Sequence, residues 1–101
     1  MTLYTRPAFY HDVARAQLRL LDRAGAEVAE AWYAALVLTI DFLQKQPLVG
    51  RERKDLKHPG IRSWRVQRFK RWMMFYGVRD NALILHRVIY GTMDLSRIEF
   101  S

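Results

Sequence analysis

The sequence predicts an α+β domain: a helical hairpin packed on one face of a small, mainly antiparallel sheet, in the order β-α-α-β-β-β with a short C-terminal helix or turn. Three observations predict it. Two adjoining stretches, beginning near Pro7 and Ala26, carry apolar residues at spacings of three and four. Three later stretches between Gly60 and Asp94 have strand-forming composition and are separated by short polar breaks. A chain of 101 residues holds one such layered core and no more, which gives a single domain over residues 1–101.

Met1 to Thr5 suits a short edge strand. Pro7 then fits the first turn of a helix, with Thr5 or Arg6 as its cap. Phe9, Val13, Ala16, Leu20 and Ala24 form one apolar stripe, while Asp12, Arg15, Arg19, Asp22 and Arg23 occupy other faces. Gly25 is the expected break, because glycine reaches the positive φ that ends a helix. The second helix has its main stripe in Val28, Trp32, Ala35, Leu36, Thr39 and Leu43. Ala31, Leu38, Ile40 and Phe42 make it apolar nearly all round, so it is expected to be covered on two sides, by the first helix and by the sheet. It should end before Pro47.

Pro47 to Pro59 (PLVGRERKDLKHP) has no period and reads as a long loop, pinned to the core by Leu56. In the next strand Trp64 and Val66 share one face, and Ile61, Ser63, Arg65 and Gln67 the other. Trp72 to Val78 is apolar on both parities, the pattern of a central strand covered on both faces. Asp80-Asn81 suits a tight hairpin turn. Leu83 to Tyr90 places Leu83, Leu85 and Ile89 on one parity, with Ile84, Val88 and Tyr90 on the other. Asp94 is then positioned to cap a terminal turn containing Leu95 and Ile98.

The formal charge of +7 is not spread evenly. Residues 1–50 balance, whereas residues 51–71 set Arg51, Arg53, Lys54, Lys57, Arg62, Arg65, Arg68, Lys70 and Arg71 against Glu52 and Asp55. Such a field favours an anionic partner or serves as a solvated face. There are no cysteines, which removes disulfides and thiolate chemistry. The N-terminus lacks an apolar signal region, and Ala31 to Leu43 is too short to span a bilayer and contains Asp41; a cytoplasmic protein is expected. His and carboxylate spacings give no metal motif, and no glycine-rich phosphate loop is present, so neither a metal nor a cofactor is expected.

Taken together, AEVAEAWYAAL, PLVGRER, GIRSWRV, FKRWMMFY and RVIYGTMDL resemble the RelE/ParE family of toxin–antitoxin toxins, the ParE branch most closely, over essentially the whole chain. The resemblance implies a small toxin neutralised by a cognate antitoxin of ribbon-helix-helix, ParD-like type, whose C-terminal tail wraps the toxin. Members similar to ParE act on DNA gyrase; those similar to RelE cut messenger RNA in the ribosome. Fold alone does not separate the two. On this resemblance Phe9, Val13, Leu20, Val28 and Trp32 are the expected antitoxin-binding residues. Lys54, Lys57, Arg62, Arg65, Arg68, Arg71 and Arg87 are the expected target-binding set.

RNA cleavage would need a proton acceptor, cations for the developing phosphorane charge and an acid for the leaving oxygen. The candidates are His58, Arg65, Arg87 and Tyr90, each with a structural rival. His58 suits an exposed loop, Tyr90 suits packing, and Arg87 suits an ion pair with Asp94 or Asp80. His86 suits a hydrogen-bonded core position, and Trp64 and Trp72 suit the core better than base stacking. With no convincing acid–base pair, a gyrase inhibitor acting by binding is the first expectation. A ribosome-dependent endoribonuclease is the second, and a non-toxic binding module of the same fold the third.

Overall fold

The computed structural model describes residues 1–91 and 98–100. Its elements run β1 (Thr2–Thr5), α1 (Pro7–Ala24), α2 (Ala26–Lys45), β2 (Arg51–Glu52), β3 (Arg62–Val66), β4 (Phe69–Arg79) and β5 (Ala82–Tyr90). The five strands form one sheet in the order β1-β5-β4-β3-β2. β1 lies parallel to β5 and the other pairs are antiparallel. The expected order therefore holds, with one addition: the loop after α2 contributes β2, pairing Arg51 with Ser63 and Glu52 with Arg62. The expected turn at Asp94 and Leu95 lies outside the described residues.

Local chemistry sets the boundaries. Pro7 opens α1, and Arg6 is its N-cap without a side-chain hydrogen bond. Gly25, at φ 94°, separates the helices, and its N–H closes α1 on the carbonyls of Leu20 and Leu21. Asp80 and Asn81 both have positive φ, 50° and 61°, as a two-residue hairpin between β4 and β5 requires.

The helices cover one face of the sheet. Phe9, Trp32, Leu36 and Leu43 pack there against Val66, Trp72, Met74 and Leu85. The Trp32 ring meets Trp72 edge-on at 5.2 Å, the aromatic geometry in which a positive ring edge faces a negative ring face. The opposite face is less bare than the sequence suggested. Ile61, Phe75, Ile89 and Phe100 form a second small core, roofed by Leu56 and Ile98.

One expectation is corrected. β5 does not keep one parity, because Phe75 pairs with Arg87 while Tyr76 pairs with Leu85, leaving His86 as the extra residue of a bulge. The shift turns Val88 and Tyr90 to the helix side and Ile89 to the other. As expected, the sheet and α1 cover two sides of α2; on its remaining side Tyr33, Val37, Leu38 and Phe42 are 39–57% exposed, with no element among the described residues over them.

The loop after α2 is held from inside the core. The fully buried Tyr76 hydroxyl donates to the Pro47 carbonyl at 2.8 Å and accepts from the Gly50 N–H at 2.9 Å. Gly50 is obligatory, since a Cβ there would lie 2.3 Å from that hydroxyl oxygen. Burial raises the Tyr76 pKa, so the phenol remains a donor at physiological pH.

Candidate functional site: an apolar groove and a basic edge

The uncovered side of α2 borders a groove of about 410 Å³ between the two helices and β1. Leu3, Tyr10, Val13, Tyr33, Val37 and Ile40 line it, with Asp41 and Gln44 at its polar margin. Tyr10 is 63% exposed and Val37 47%. β1 ends the sheet, so its outer backbone edge has no strand partner among the described residues. Apolar side chains beside an open strand edge can take an extended or helical peptide segment.

The residues assigned to a partner from the helical stripes are only partly at this surface. Phe9 and Trp32 are buried beneath the hairpin, at 3% and 0% exposure, and belong to the core. Val13, Leu20 and Val28 are half-buried. The strongest apolar stripe of an amphipathic helix is the one that packs on the sheet, although Phe9 and Val13 also line the groove. The accessible apolar residues, Tyr10, Leu18, Leu21, Tyr33 and Val37, lie off that stripe.

The cationic set divides into free and occupied members. Lys54, Lys57, Arg65, Arg68 and Arg71 are exposed, as are Arg51 and Lys70. Arg68, at φ 70°, occupies the turn between β3 and β4. The Arg65 guanidinium donates to the Lys70 carbonyl at 2.6 Å, and Arg71 to the Tyr90 hydroxyl at 3.3 Å. Arg51 and Arg65 flank an open depression of about 560 Å³ with Val49, Trp64 and Met73. Arg62 is instead tied to the Gly50 and Leu48 carbonyls at 2.8 and 3.3 Å and fastens the loop to β3.

Arg53 was indistinguishable from its neighbours in sequence, yet it is buried. It donates to both Asp55 oxygens at 2.7 and 2.9 Å and to the Ser63 hydroxyl at 3.3 Å, and it lies over the Phe75 ring. The hydrogen bond from Arg53 lowers the Asp55 pKa to about 2.

Arg87 does not pair with Asp80, and Asp94 lies outside the described residues. Its Nε and Nη2 donate to the Asp12 carboxylate at 2.6 and 2.9 Å, and its Nη1 donates to the Glu99 carbonyl at 3.2 Å. Asp12 also accepts the Val88 N–H at 3.1 Å. β1 pairs with β5 only as far as Leu85. Asp12 therefore satisfies the β5 edge where the strand partner ends, and Arg87 neutralises the carboxylate that does so. Arg87 belongs to the interior and is removed from the target-facing set.

The four residues weighed for RNA cleavage are not assembled. Tyr90 packs its ring edge-on to Trp72 at 5.3 Å. His58 lies across the sheet beside His86, with ring centroids 5.5 Å apart. The depression beside Arg65 is not lined by His58, Arg87 or Tyr90, and a cavity beside His58 is not lined by Arg65, Arg87 or Tyr90. No group of three or more His, Asp or Glu among the described residues is placed to hold a metal ion. No helix among them is long and apolar enough to cross a membrane.

Residues 3–95 match the family described as the ParE toxin of the type II toxin–antitoxin system parDE. Curated protein sequences give no match. Among solved structures, a chain of the chromosomal ParDE toxin–antitoxin system of P. aeruginosa is similar, with a TM-score of 0.75 at 16% identity. The superposition covers 89% of this chain and 95% of that one, and it supports the fold. With nearly its whole length matched, and with the hairpin-on-sheet architecture that the match accompanies, the chain belongs to the ParE family of type II toxin–antitoxin toxins.

Proposed function

We propose that the chain is a cytoplasmic toxin that inhibits DNA gyrase by binding, and that a cognate ParD-like antitoxin neutralises it by occupying the groove between α1, α2 and β1. The observation that carries the antitoxin part is the groove itself. Leu3, Tyr10, Tyr33 and Val37 expose large apolar surfaces beside an unpaired strand edge. A free toxin has no use for such a surface, whereas a partner segment would bury it. The exposed cations Lys54, Lys57, Arg65, Arg68 and Arg71 lie along the opposite end of the sheet and the loop before it, and in this reading they face the target.

The preference for binding over catalysis rests on the dispersal of His58, Arg65, Arg87 and Tyr90. In-line RNA cleavage needs its base, acid and cations around one phosphate. Here Arg87 is consumed by Asp12, and Tyr90 is engaged by Trp72 and Arg71.

Induced expression in bacteria tests the reading. Gyrase inhibition predicts filamentous cells and a DNA-damage response, reversed by co-expression of the antitoxin. Immediate arrest of translation with cleaved messenger RNA would instead indicate a ribosome-directed nuclease.

A further inference from the structure

The β5 bulge places His86 in the wall of a second cavity, on the side of the sheet away from the helices. Its volume is about 250 Å³, and Arg6, His58, Gly60, Gly77, Arg79 and His86 line it. Every ionisable side chain in that lining is basic. The cavity is smaller than the roughly 300–1,000 Å³ usual for drug-sized ligands, which suits a compact ion.

Four features mark it as more than a gap. The Nε of Arg6 is buried and has no hydrogen-bond partner among the described residues, so one guanidinium donor at the cavity is unused. Both imidazoles have the same tautomer. Nδ1 of His58 is 3.0 Å from the Pro59 carbonyl and Nδ1 of His86 is 3.1 Å from the Phe100 carbonyl. A carbonyl only accepts, so each Nδ1 carries a proton, and on the neutral ring of His86 Nε2 presents a lone pair.

His86 is 7% exposed, and burial above all, with the charges of His58 and Arg6, lowers its pKa to about 4, which keeps that lone pair free at neutral pH. Gly77 has an ordinary φ, so its backbone does not demand glycine. A Cβ there would sit 3.4 Å from His86 Nε2 and 3.4 Å from the Gly60 carbonyl oxygen, closing the floor of the cavity.

Cationic donors beside neutral acceptors specify an anion that carries a proton of its own. A divalent metal would have two imidazoles but would face Arg6 and Arg79 without a carboxylate. Sulfate near neutrality would offer nothing to the Nε2 atoms. A protonated phosphate satisfies both kinds of group. We propose that this cavity binds a single phosphate group, as the free ion or as the terminal phosphate of a nucleotide. Arg6 and Arg79 donate to its oxygens, and its hydroxyl donates to Nε2 of His86. Arg79 is available for this, since its contact with Asp80 is 3.9 Å between two strongly exposed side chains. The site uses none of the residues assigned above to the gyrase and antitoxin surfaces.

The test is a titration of the full chain, followed by the imidazole NMR signals of His58 and His86, with exposed His11 as internal control. It is run near pH 6, where inorganic phosphate and a nucleoside 5′-monophosphate each carry a proton on the phosphate. The expected result is saturation with a Kd of about 1 mM or tighter, binding of sulfate at least about tenfold weaker, and no response at His11. Gly77→Ala and Arg6→Gln should each weaken binding by about tenfold or more, with the circular dichroism spectrum unchanged; if Gly77→Ala fails to fold, Arg6→Gln decides. Equal binding of phosphate and the monophosphate assigns the site to a terminal phosphate, and binding of phosphate alone assigns it to the free ion. Shifts that never saturate, equal binding of sulfate, or affinities unchanged in the variants overturn the proposal.

Discussion

Asp12→Ala should be among the most damaging single substitutions in this protein. The Asp12 carboxylate is 7% exposed and accepts three hydrogen bonds, two from Arg87 and one from the Val88 N–H. Truncation leaves a guanidinium that is only 16% exposed and a buried N–H without their acceptor. Breaking a buried ion pair from one side costs about 3–5 kcal/mol. A domain of this size has about 5–15 kcal/mol in total, so about a fifth or more of the stability is at stake. At roughly 4–8 °C per kcal/mol, the melting temperature should fall by on the order of 10–40 °C.

The double variant Asp12→Leu with Arg87→Leu removes both charges. It should recover most of the loss, except about 1 kcal/mol for the orphaned Val88 N–H. Urea unfolding of the wild type, Asp12→Leu, Arg87→Leu and the double variant closes the cycle. A cost for Asp12→Ala below about 1 kcal/mol, or a double variant as unstable as the sum of the singles, would refute the assignment of Arg87 to the interior.

Other substitutions probe the remaining parts. Tyr76→Phe leaves the Gly50 N–H and Pro47 carbonyl unpaired and should cost about 1–3 kcal/mol in urea unfolding, with faster proteolysis of residues 47–59. His86 has its pKa lowered, so the folded state resists a proton that the unfolded chain accepts. Its contribution is fully present above about pH 6.5 and is lost as pH falls toward about 4, on the order of 2 kcal/mol after allowing for solvent screening. His86→Gln should flatten that part of the stability profile. Val37→Asp, at a 47% exposed position in the groove, should leave the melting temperature within a few degrees and weaken antitoxin binding by at least about 2 kcal/mol in calorimetry.

Periodicity made the hairpin and the three long strands legible, and positive-φ chemistry at Gly25 and Asp80-Asn81 made their junctions legible. What periodicity could not carry was any feature made by residues far apart in sequence. Asp12 and Arg87 are separated by most of the chain, and nothing near Arg87 announces a helix carboxylate as its partner. The bulge at His86 shows in the sequence as a strand whose two parities are both partly apolar, which a central strand also produces. The pattern that identifies a helix identifies its buried side, so the exposed apolar residues of α2 were visible only as an excess beyond one stripe. Arg53 and Arg62 sat in a run of cations, and only the carbonyls and carboxylate around them separate structural from free charge.

The central claim is inhibition of gyrase by binding, and DNA supercoiling by purified gyrase with increasing toxin measures it directly. The account predicts loss of supercoiling at near-stoichiometric toxin, restoration by equimolar antitoxin, and a much weaker effect from a chain with Arg65, Arg68 and Arg71 replaced by serine. Unimpaired supercoiling, together with messenger RNA cut on ribosomes by the same preparation, would contradict it.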